Sequence, residues 1–170
     1  ILDSLATGVS GSVAPVSDVL RRYLGQLGCG EGPSRAIGTD LRLPPRFAAL
    51  LNGTAMHADD FDDTWQSVPD GPRARYRGRM GVHATGPALA SALAAAEADA
   101  RPGQDALVAC LVGIEVACKV FDATDFADID NALHTTGTCA LVGGAAGVAN
   151  LRRMEEEVIR RVLGIACDAT

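Results

Sequence analysis

The sequence predicts an all-α fold, a compact multi-helix bundle, on three observations. Apolar residues recur at helical spacing through most of the chain, alternating strand patterns are almost absent, and alanine and glycine carry much of the apolar fraction. The 170 residues suit a single helical domain over 1–170. Hydrophobic residues make up 48% but aromatics only 4%, so a core must come from close backbone approach more than from large rings.

The elements follow in order. Residues 1–9 and 15–28 carry helical apolar spacing, and in the second Val16, Val19, Leu20, Tyr23, Leu24 and Leu27 mark one face. "GCGEGPSRAIGTDLRLPP" (28–45) is a glycine- and proline-rich connection, after which Pro44 and Pro45 suit the first turn of a helix through "RFAALLNG". Residues 66–82 lack an apolar period and read as a loop. "TGPALASALAAAEADA" is a helix capped by Thr85 or Gly86, with Pro87 in its first turn. "GQDALVACLVGIEVACKVF" starts near Asp105 and is apolar nearly all round, which predicts a buried, central helix. "HTTGTCALVGGAAGVANL" begins at threonine caps, and the last helix pairs Glu156 with Arg160 and Glu157 with Arg161 at i,i+4.

Composition narrows the function. The net charge of −6 and pI near 4.9 argue against nucleic-acid and membrane-surface partners but leave room for a small anionic substrate. Five cysteines, none in a C-x-x-C pair, point to a reducing, cytoplasmic setting without disulfides. No apolar run reaches bilayer length, and "ILDSLATGVSGSV" lacks the basic start of a signal peptide. It opens inside a helical pattern without a methionine, as a trimmed chain would.

The chemistry concentrates in "NGTAMHADDFDDTW" (52–65), where His57 is followed by Asp59, Asp60, Asp62 and Asp63. Asp59, Asp60 and Asp63 fit D-D-x-x-D, carboxylates one helical turn apart that hold Mg²⁺ on a diphosphate, although no convincing second carboxylate motif faces them; "DATDFADID" (122–130) is the nearest candidate. A solvated helix end is the plainest alternative. The third reading is acid/base chemistry, in which a carboxylate orients a histidine. His83 and His134 support it, because each precedes a hydroxyl- and glycine-containing helix start, "HATGP" and "HTTGT", where free N–H groups attract substrate carboxylates.

In this order, "NGTAMHADDFDDTW", "HATGPALASALAAAEA", "GIEVACKV" and "HTTGTCALVGGAAGVANL" resemble the MmgE/PrpD family, from "ILDSLATGVSG" through "VLGIACDA". The resemblance implies a helical domain that forms most of a metal-independent active site and often dimerises. It further implies lyase chemistry, dehydration or decarboxylation of a small di- or tricarboxylate, with no cofactor. Carried over by position, Asp60, His83 and His134 correspond to catalytic groups. Thr64, with His57 and Thr136 beside it, is expected to bind substrate. Two departures stand out. The segment before His83 is longer than usual and carries Arg73, Arg75, Arg77 and Arg79, which could clamp a polyanion or sit solvated. The family's lysine motif and α+β lid domain have no counterpart here, and Lys119, the only lysine, lies in the predicted central helix. A homodimer or a companion subunit is therefore expected, and a non-catalytic dimerisation or partner domain stays open alongside the Mg²⁺ enzyme.

Overall fold

The computed structural model describes residues 1–66, 81–124 and 134–169. Most of the predicted loop at 66–82, all four of its arginines, and most of "DATDFADID" lie outside that range. Seven helices occur among the described residues: α1 (Leu2–Gly11), α2 (Pro15–Gln26), α3 (Pro45–His57), α4 (Thr85–Ala98), α5 (Gly103–Ala123), α6 (Thr135–Leu151) and α7 (Glu156–Asp168). The fold is all-α.

A two-stranded antiparallel ribbon, β1 (Ser34–Arg35) and β2 (Arg42–Leu43), interrupts the predicted 28–45 connection, pairing Ser34 with Leu43 and Arg35 with Arg42. Strands of two residues are too short to leave a period in sequence. Buried Asn52 on α3 fastens the ribbon, since its Nδ2 donates to the Arg35 carbonyl at 2.9 Å and its Oδ1 accepts from the Ile37 N–H at 2.8 Å. Ser34 Oγ ties the same ribbon to α4 by donating to the Ala94 carbonyl at 2.7 Å.

The hub is α4, which packs against α3, α5 and α6 and buries Gly86, Ala88, Leu89, Ala90, Ala92, Ala94, Ala95 and Ala96. This corrects the sequence reading that makes α5 the central helix. Helix α5 buries Ala106, Ala109, Cys110, Gly113, Ala117, Cys118 and Phe121, while Leu107, Val108 and Leu111 are exposed, Leu111 to 60%. An all-round apolar helix here therefore has one open face. Small residues let α5 and α6 cross almost backbone to backbone: a Cβ on Gly143 would lie 2.4 Å from the Gly113 carbonyl oxygen.

Two further expectations change. On α2, Leu24 is buried, but Val16, Val19, Tyr23 and Leu27 remain exposed, because α3 is the principal helix packed against α2. The caps differ as well. Ala84 precedes α4 without a side-chain cap, and His134, not a threonine, caps α6 through Nδ1, which accepts from the Gly137 N–H at 3.2 Å. None of the helices is long and apolar enough to cross a membrane.

Candidate active site

The end of α3 builds the site. The helix terminates after His57, and Asp60 follows in the left-handed region at φ 55, a conformation that aspartate tolerates better than most residues. That turn redirects the chain so that Asp62 points inward and Asp63 outward. Asp63 accepts a 2.8 Å hydrogen bond from Thr85 Oγ1, at the first residue of α4. Trp65 then pairs with Val82 through backbone bonds of 2.9 and 3.0 Å. Residues 64 and 83 are the next opposite pair beyond this bridge, which brings Thr64 Oγ1 to 3.4 Å from His83 Nδ1.

Helix α6 holds the other side. Thr136 Oγ1 accepts from the His83 N–H at 3.0 Å, and Thr135 Oγ1 donates to the Gly81 carbonyl at 2.5 Å. The starts of α4 and α6 thus meet at His83. A cleft of about 530 Å³ opens there, lined by Val16, Thr54, His57, Asp62, His83, Pro87 and Thr136 among others.

Within the cleft, Asp62 stands between two imidazoles. Its side chain has no solvent exposure; its oxygens lie 2.9 and 3.1 Å from His57 Nδ1, and Oδ2 is 3.4 Å from His83 Nδ1. The two rings are 4.7 Å apart between centroids. The opposite nitrogen of His83, Nε2, faces Asp60 Oδ1 at 3.7 Å, and Asp60 is 79% exposed. A carboxylate against Nδ1 favours a proton there and leaves Nε2 as the nitrogen that gives or takes one.

The structure therefore brings together His57, Asp60, Thr64, His83 and Thr136. His134 stands apart: its ring caps α6 and is not among the residues lining the cleft. Asp62, the most buried group of the site, is the candidate that sequence reasoning passed over. The D-D-x-x-D reading fails on geometry, because α3 ends before Asp59. Asp59 is exposed, Asp60 turns to His83 and Asp63 is bonded to Thr85. The group able to surround a metal ion among the described residues is instead His57, Asp60, Asp62 and His83, whose ligand atoms lie within 4.8 Å of one another.

Several proteins are similar to this chain over 98% of its length. Cis-aconitate decarboxylase of Homo sapiens is 31% identical over 172 residues, covering 98% of this chain and 33% of that protein. The mouse cis-aconitate decarboxylase is likewise 31% identical, over 98% of this chain and 32% of its own length. A cis-aconitate decarboxylase-like protein of Aspergillus oryzae is 28% identical over 98% of this chain and 34% of its own length. The chain spans about a third of the length of these relatives. The sequence profile of the MmgE/PrpD N-terminal domain matches residues 1–170, and the chain belongs to the MmgE/PrpD family.

Proposed function

We propose that this domain supplies the acid/base side of a lyase active site acting on a small di- or tricarboxylate, by decarboxylation or dehydration, without a metal or organic cofactor. The observation that carries the reading is His83, which lines a cleft where two helix starts converge and turns its Nε2 toward the exposed Asp60 carboxylate. The positive ends of those two helices favour substrate carboxylates, with Thr136 lining the cleft and the Thr64 hydroxyl beside His83 Nδ1.

In a decarboxylation, loss of CO₂ leaves its bonding electron pair on carbon, and a proton carried by His83 Nε2, on the side facing Asp60, is delivered there. In a dehydration, His83 Nε2 takes the proton from the carbon beside a carboxylate, and the imidazolium so formed, facing the Asp60 carboxylate, returns that proton to the departing hydroxide. Asp62 orients His83 and His57 in both cases. The names of the relatives favour decarboxylation, with cis-aconitate as the first substrate to try. His134, the exposed N-cap of α6, acts only if the rest of a longer polypeptide brings substrate to it. The reading includes a dimer, supported by the exposed apolar residues of α2 and α5, and a cytoplasmic setting, for which five free cysteines argue.

The test is turnover of cis-aconitate and citrate-like acids by the complete enzyme, with products resolved by NMR. His83→Ala should abolish turnover while leaving helicity unchanged. Full activity in that variant overturns the assignment.

A further inference from the structure

We propose that His57, Asp60, Asp62 and His83 also form a binding site for a divalent transition-metal ion of the Zn²⁺ type, and that the ion competes with substrate for the cleft. Four donors, two imidazole nitrogens and two carboxylate oxygens, lie within 4.8 Å of one another. A four-coordinate zinc ion holds such donors at about 2.0–2.2 Å, which sets them roughly 3.4 Å apart. The separations of Asp62 from His57 Nδ1 (2.9 Å) and from His83 Nδ1 (3.4 Å) are already near that value. Both histidines would therefore ligate through Nδ1, and Nε2 of His83, 3.7 Å from Asp60, stays outside the ligand set. Most of the remaining closure falls on Asp60, whose exposed side chain is free to move inward.

Donor type and charge agree. A mixed nitrogen and oxygen set suits Zn²⁺ or Co²⁺, whereas Mg²⁺ prefers oxygen alone and keeps several waters. Two carboxylates face two imidazoles, and among the described residues no arginine or lysine forms an ion pair with Asp60 or Asp62. A divalent ion neutralises that pair, and the open cleft gives it a path. An ion on Nδ1 of His83 leaves the ring's proton on Nε2, which can then no longer accept one, and it draws Asp60 away from that nitrogen. It therefore blocks turnover and does not support it.

The experiment titrates Co²⁺, then Zn²⁺, into chelator-stripped complete protein, following visible absorption and calorimetry. The expected result is one ion per chain with the absorption of a four-coordinate cobalt site. Affinity should fall more than about tenfold in Asp60→Asn and in His57→Ala, and stay unchanged in Asp59→Asn. Asp60 is a surface side chain, so its variant reads ligation without endangering the fold. Absence of stoichiometric binding, or binding indifferent to both substitutions, overturns the site. Binding that leaves turnover untouched overturns the competition. Because absorption is read without substrate, this outcome is separate from the fate of the lyase assignment.

Discussion

Both carboxylate oxygens of Asp62 reach Nδ1 of His57, at 2.9 and 3.1 Å, from a side chain with no solvent exposure. A buried carboxylate without hydrogen-bond partners is costly, so the two histidines and Asp62 hold one another in place. Asp62→Asn keeps the volume but replaces one acceptor oxygen with a donor. The expected cost is about 1–3 kcal/mol in urea unfolding, together with a drop in kcat of the complete enzyme larger than any change in KM. A variant that loses stability alone would make Asp62 a structural residue only.

The α5–α6 crossing makes an opposite pair of glycine predictions. Gly143→Ala puts a methyl group 2.4 Å from the Gly113 carbonyl oxygen and 2.8 Å from Ala117 Cβ, so the helices must separate. Destabilisation of about 1–3 kcal/mol is expected, against the usual helix preference for alanine. Gly164 on α7 has nothing within 4 Å of such a methyl, and Gly164→Ala should stabilise by roughly 0.5–1 kcal/mol. Thermal unfolding of the two variants side by side checks both signs; stabilisation by Gly143→Ala would contradict the close crossing.

How far the sequence reveals this architecture differs from residue to residue. Helices α4 and α6 are legible because their alanine and glycine runs sit between clear start signals, and "HATGP" and "HTTGT" do mark the two helix starts beside the cleft. The place of α5 is not legible: Leu107, Val108 and Leu111 look like core residues, and only the positions of neighbouring helices decide that they face outward. Asp62 is hidden for a different reason. Nothing in "DDFDD" separates one aspartate from another until the left-handed turn at Asp60 sends one inward and its neighbour to Thr85. The same turn dissolves the Mg²⁺ motif, which presupposes an unbroken helix.

Three cysteines should resist reagents until the protein unfolds. Burial raises the thiol pKa of Cys118 and Cys139 to about 11, with Asp122 and Glu115 adding to the rise at Cys118 and Cys118 adding to it at Cys139. Burial also raises that of Cys110. The thiolate is the reactive form, so these three remain unreactive at mildly alkaline pH. Cys29 is half-buried and Cys167 exposed, and no disulfide joins any of the five. A native thiol titration should register Cys29 and Cys167 quickly and the other three only in denaturant. Fast native labelling of Cys139, identified by mass spectrometry, would contradict the packing of α5 on α6.

The ends of α4 and α6 are joined by charge. Arg152, the C-cap of α6, donates through Nε to Asp99 Oδ2 at 2.8 Å and through a terminal nitrogen to Oδ1 at 3.3 Å, and Asp99 is the C-cap of α4. The hydrogen bond from Arg152 is the main cause that lowers the Asp99 pKa, opposed by partial burial and helped by the charges of Arg152 and Arg101. A depressed carboxylate contributes stability above its unfolded pKa of about 3.9, and the contribution disappears as pH falls through the lower folded value. Solvent reaches both side chains, which limits the effect to below about 1 kcal/mol. Asp99→Asn should therefore unfold slightly earlier than the parent at neutral pH, with the gap closing as pH falls below the ordinary carboxylate range and shrinking in high salt. A gap that persists undiminished in acid would mean that Asp99 acts through helix-end geometry, with its charge irrelevant.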